Sequence, residues 1–172
     1  MSQPTFALFR IIHVVSGAFW FGAVVVGGAF LLPAVRRAGP AGGAVMEQLL
    51  LARFPVFINL AVLLSVLSGL PLYRMASAGS NPAWMRSVPG MVLNAGVTLA
   101  VIAVLIGVFV NRPAANRIGQ LMAAAKAAGG PPAPEVLAEV GRLQLRLMGA
   151  TRITAVLVAL AAAAMVSARF LG

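Results

Sequence analysis

The chain has 172 residues, 61% of them hydrophobic and only 9% charged. Soluble domains carry roughly 25% charged residues, so this is the composition of an integral membrane protein with several spans. The absence of cysteine excludes disulfides, thiolate metal sites and cysteine nucleophiles. A net charge of +10 would point to nucleic acid in a soluble protein. Here the arginines stand at the ends of apolar runs, which the positive-inside bias explains, and no nucleic-acid partner is expected.

Phe6–Val35 comes first, and the rest is organised around it. After Arg10 it runs 25 residues without a charged side chain other than the imidazole of His13, the only histidine. At about 1.5 Å per residue the run exceeds the roughly 30 Å hydrocarbon core of a bilayer. It reads as a retained anchor rather than a removed signal, since no cationic region precedes it and it is too long. At about 100° per residue, Arg10, His13, Gly17, Trp20, Val24, Gly27 and Gly28 share one face. Small residues there admit a neighbouring backbone or a flat ligand; helix packing is their commoner use. Trp20 falls near mid-membrane, where it packs against a neighbour rather than anchoring at the interface.

The predicted spans are 8–33, 55–74, 90–111 and 150–170, in a single domain over 1–172. Pro33 closes the first, Pro55 restarts the chain for the second, and Asn111-Arg112-Pro113 ends the third. Ser65 and Ser68 in the second span are read as returning their hydroxyls to the backbone or to a neighbouring helix. The segment 112–149 is an amphipathic connection broken by Gly129–Pro134. Its second half carries Glu135 and Glu139 early and Arg142 and Arg146 late, matching a helix dipole, and leads into the last span along the membrane surface. The expected fold is an all-α bundle of four transmembrane helices with amphipathic interfacial helices.

Nine Lys or Arg residues follow spans one and three, against four on the other side. That bias places the connections in the cytoplasm and both termini on the periplasmic side of a bacterial inner membrane. Pro33-Ala34-x-x-Arg37-x-Gly39 recurs eighty residues later as Pro113-Ala114-x-x-Arg117-x-Gly119. Two similar hairpins would produce that spacing, with His13 matched to Leu93.

All carboxylates (Glu47, Glu135 and Glu139; there is no aspartate) lie in connecting segments, which argues against proton relays and ion-coupled carriers. The middle of the spans is almost wholly apolar, which argues against a channel. Chemistry is left to the outer layer, with His13, Met91 and Met165 as candidate metal or haem ligands and Arg10, Gly17, Trp20 and Asn94 in support. Imidazole with thioether suits Cu(I), and a histidine–methionine pair also ligates haem iron. Against this, such a histidine is equally well satisfied by a backbone carbonyl, by Asn94 or by water, and methionines commonly fill gaps in a core. No residue is assigned a catalytic role.

His13-x3-Gly17-x2-Trp20-x-Gly22, followed by an apolar run and Leu32-Pro33, resembles the opening helix of copper-resistance D-type membrane domains and related small four-helix membrane proteins. Leu67-Ser68-Gly69-Leu70 with a following loop containing Trp84 is similar to their middle. The resemblance covers the first two-thirds of the chain by pattern and the last third by hydropathy. It implies a compact four-helix bundle and a link to copper handling in the cell envelope. The first span is also faintly similar to that of four-helix protoporphyrinogen oxidases, which bind haem. Their further histidine and membrane lysine are missing, since Lys126 is the only lysine and lies in a connection. Bis-histidine haem within one chain is thereby excluded, while two chains can supply one His13 each. The competing expectation is a non-catalytic accessory subunit, with the lipid bilayer, a second copy or a larger membrane complex as partners.

Overall fold

The computed structural model describes residues 2–77 and 79–171, and among these the structure is helical with no strand. The helices are α1 (Gln3–Val26), α2 (Leu32–Arg37), α3 (Pro40–Leu51), α4 (Phe54–Ala76), α5 (Pro82–Met85), α6 (Val88–Ile106), α7 (Arg112–Ala127) and α8 (Pro134–Ser167). Two π-helical turns join α1 to α2 (π1, Gly27–Leu31) and α6 to α7 (π2, Gly107–Asn111). Four continuous helical stretches among the described residues are long and apolar enough to cross a membrane: Gln3–Arg37, Phe54–Ala76, Val88–Ala127 and Pro134–Phe170. The protein is a four-span, all-α integral membrane bundle.

Three of these stretches outrun a bilayer. Val88–Ala127 has 40 residues, about 60 Å of helix at 1.5 Å per residue. The connection 112–149 therefore prolongs the spans: α7 follows α6 without a loop, and α8 carries its charged beginning and apolar end as one helix. α7 packs along the start of α8. Arg117 Nε donates to Glu139 Oε1 at 2.9 Å, and Lys126 Nζ donates to Glu47 Oε1 of α3 at 2.8 Å. Both pairs are exposed, and Glu47 holds the Lys126 ammonium above its ordinary pKa.

The sequence places the end of the first span at Pro33, yet the helix continues to Arg37. The reason is π1. Leu32 N–H bonds to Gly27 O, five residues back, so the next donor in that register is residue 33, a proline with no N–H. Widening the turn relieves the clash that a proline ring makes with the preceding carbonyls, and the helix survives. Arg112 N–H bonds to Gly107 O in the same way, immediately before Pro113. The two π turns are eighty residues apart, the period of the Pro-Ala-x-x-Arg repeat.

Packing follows that repeat. α1 lies against α4 and α6 against α8, giving two hairpins, and α1 meets α8 between them. Three levels tie the hairpins together. At mid-height Trp20, Val24, Ala61, Ala103 and Val158 form a buried cluster drawn from all four spans, and Trp20 has the neighbours expected of it. At the end holding His13, Tyr73 Oη donates to Asn94 Oδ1 at 2.6 Å, from α4 to α6. At the opposite end, rich in arginine, Arg152 Nε of α8 donates to Gly28 O of π1 at 3.0 Å.

Most hydroxyls within the spans return to their own helix. Ser16 Oγ bonds to Ile12 O, Ser68 Oγ to Leu64 O and Thr154 Oγ1 to Ala150 O, each four residues back. A hydroxyl bonded this way can be buried in an apolar seam without leaving its proton unsatisfied.

Candidate functional site

His13 sits one turn inside the span, on the α1 face that packs against α4. Its Nδ1 lies 2.8 Å from Ser65 O. A carbonyl only accepts, so Nδ1 carries the proton, and in the neutral ring Nε2 retains its lone pair. Nε2 has no protein hydrogen-bond partner among the described residues, and the ring is half-buried, with Nε2 4.0 Å from where a Gly69 Cβ would stand. Metal-binding histidines are commonly oriented in this manner, one nitrogen donating to a carbonyl and the other presented to the metal.

The seam is shaped for the ring. A Cβ on Gly69 would stand 3.0 Å from His13 Cε1 and 3.2 Å from Nδ1, closer than such atoms normally approach. Glycine at 69 is therefore what lets α4 accept an imidazole here. Gly17, one turn further along α1, faces Ser65 Oγ at ordinary contact distance. The Gly17 and Gly69 positions, four helical residues apart from His13 and Ser65 respectively, line the same α1–α4 seam.

The remaining candidates have other neighbours. Asn94 accepts the Tyr73 hydroxyl. Met165 packs where a Gly96 Cβ would come within 3.2 Å of its Cγ, in the α6–α8 seam. Met91 is 54% exposed on α6, and Arg10 is exposed on α1. Gly27 and Gly28 are used for helix packing, against Thr151 and Arg152 of α8. No group of three or more His, Asp or Glu side chains capable of holding a metal occurs among the described residues.

This donor set discriminates between metal groups. A Cu(I) centre needs two or three soft donors converging on one point, and His13, Met91 and Met165 each sit against different neighbours. A haem group would need one imidazole from this chain and could be completed by a ligand from elsewhere, and His13 is the residue that would hold it.

Neither a family model, nor a curated protein, nor a solved structure matches this chain. The likeness to copper-resistance D-type domains thus rests on the sequence patterns alone, around His13 and Trp20 and around Leu67–Leu70 with Trp84. Sequence reasoning allowed a backbone carbonyl as the partner of His13, as the structure has it, but identified neither Ser65 as its source nor Gly69 as its neighbour. The one local signal was glycine in Leu67-Ser68-Gly69-Leu70, a small residue towards the end of the second span that faces His13.

Proposed function

We propose that this is a small inner-membrane protein of the bacterial envelope that holds a haem-type metal group on His13 Nε2. The observation that carries this is the 2.8 Å bond from Nδ1 to Ser65 O, which fixes the ring and its tautomer while leaving Nε2 available. The positive-inside bias supports the arginine-rich end being cytoplasmic and the His13 end periplasmic. A second copy would be the source of any second imidazole, because this chain has only one histidine. Bound haem would supply electron transfer or ligand binding at its iron. The chain's own part is to orient the imidazole and to keep the spans apolar around it. The motif resemblance to copper-associated domains supports an envelope metal role in general, and Cu(I) would need donors from outside His13's present surroundings.

The second reading is an accessory subunit of a larger membrane complex. It is favoured by the same clasp viewed as packing: an imidazole filling the space that Gly69 leaves, bonded across two helices.

One experiment separates the two. Protein purified from its native membrane is examined by absorption spectroscopy and metal analysis, beside His13→Ala. A Soret band lost in the variant is the expected result. Colourless, metal-free wild-type protein that co-purifies with other subunits would exclude the metal reading and support the accessory one.

A further inference from the structure

The arginine-rich end contains an anchored guanidinium whose function the haem reading does not use. Pro33 leaves Gly28 O without its π-register donor, and Arg152 Nε supplies one at 3.0 Å. The approach is close because residue 28 is glycine: a Cβ there would lie 3.2 Å from Arg152 N and 3.3 Å from its Cγ. An arginine offers five N–H donors. One is spent on the carbonyl, and the others have no acceptor among the described residues. The residue is exposed.

No carboxylate is at hand to neutralise it. Glu47 is engaged by Lys126 and Glu139 by Arg117. Glu135 lies in the first turn of α8, about 25 Å further along the helix at 1.5 Å per residue. Meanwhile α2, with Arg36 and Arg37, and α7, which begins at Arg112, both pack on α8. An anion from outside the chain can therefore pair with it without competition from a carboxylate.

Depth says what it is. Between Arg152 and Arg169 the helix carries no charge, and that stretch is about 25 Å long. The two arginines therefore mark opposite limits of the hydrocarbon core, and Arg152 stands at the level of lipid phosphates. We infer that the junction of π1 and α8 is a binding site for an anionic phospholipid, whose phosphodiester oxygens accept from the Nη groups of Arg152. The Gly28 carbonyl fixes the guanidinium plane so that its remaining fork faces the phosphate, as arginine does where geometry as well as charge is recognised. Arg36, Arg37 and Arg112 raise the local potential and select anionic over zwitterionic lipid.

The test uses the full chain, purified in detergent and delipidated, then titrated with phosphatidylglycerol or phosphatidylcholine in mixed micelles and read by native mass spectrometry. Wild-type protein is expected to retain phosphatidylglycerol in preference to phosphatidylcholine. Arg152→Gln should weaken that retention about fivefold, and Arg152→Lys, which keeps the charge but not the fork, should also weaken it. Arg142→Gln removes the same charge further along α8 and should leave it near wild type. Equal retention by wild type and Arg152→Gln would overturn the site, as would equal losses in the two glutamine variants. Thermal protection by inorganic phosphate equal to that by phosphatidylglycerol would overturn the lipid assignment. If Arg152→Gln does not fold, Gly28→Ala takes its place, because it displaces the guanidinium with no charge change. Weakened retention of phosphatidylglycerol is then expected, and retention equal to wild type would overturn the site.

Discussion

The two hairpins share a plan and differ in what their seams contain. Each has a span that widens into a π turn before a proline, and each closes against a second helix. In the first, α1 and α4 meet around an imidazole bonded to a backbone carbonyl, with Gly69 making room. In the second, Leu93 occupies the matching position, and α6 approaches α8 through Gly96, whose Cβ would lie 3.1 Å from both Ala161 O and Ala164 Cβ. The carbonyls freed by the prolines differ too. Gly28 O is bonded by Arg152 across the hairpins, whereas Val108 O, the position eighty residues on, has no side-chain donor among the described residues. One plan thus supports a seam with an inter-helix hydrogen bond in one hairpin and, among the described residues, a seam without one in the other, and the difference follows the substituted positions rather than the fold.

The comparison breaks most sharply at Gly96. A valine there pushes against backbone, which cannot yield as a flexible side chain can. Gly96→Val should cost about 1–3 kcal/mol and lower the melting temperature in detergent; an unchanged melt would mean that the α6–α8 seam is looser than described. Gly69→Ala is gentler, because an imidazole can swing aside. It should break the Nδ1–Ser65 bond at a cost of about 0.5–1.5 kcal/mol and shift the His13 ring nitrogen signals in a selectively labelled sample. Unshifted signals would show that Gly69 does not set the ring position.

The smallest effect lies outside the membrane, where both hairpins are extended by exposed ion pairs. Such pairs contribute little, so Lys126→Met should leave the melting temperature at neutral pH nearly unchanged. The sign with pH is fixed by the raised folded-state pKa of Lys126. The pair's contribution is complete below the ordinary value of 10.5 and fades as pH rises through the raised one. A large loss in Lys126→Met at pH 7 would mean that the α3–α7 contact is more enclosed than its exposure indicates.

The spans and their pairing were legible in the sequence, because hydropathy over twenty residues and a recurring Pro-Ala-x-x-Arg are properties of short windows. Helix ends at Pro33 and Pro113 were not. A proline ordinarily stops a helix, and only a change of hydrogen-bond register, which no local residue pattern announces, allowed these two helices to continue. Around His13 the histidine itself was conspicuous, while its acceptor was 52 positions away and was a backbone atom, invisible to any reading by residue type. Tyr73 and Asn94 illustrate the same limit: Asn94 was matched with the imidazole by depth, and a phenol 21 positions earlier took its oxygen. Contacts across helices depend on rotation about each axis, and an almost uniformly apolar span leaves that rotation poorly specified.

The long helices also have a mechanical side. Where α6 passes into α7, the only departure from α-helical geometry is the five-residue π2 turn, and there is no loop to absorb a movement. A tilt of about 5° at that turn would carry the far tip of α7 some 2 Å sideways over its length of roughly 24 Å. Because α7 leans on α8, and α8 runs unbroken from that projection to the far face of the membrane, a push on the tip is handed to the helix that grips π1. The protein is in effect a lever pivoting at π2, with α6 as the arm among the spans and the slightly shorter α7 as the arm beyond them.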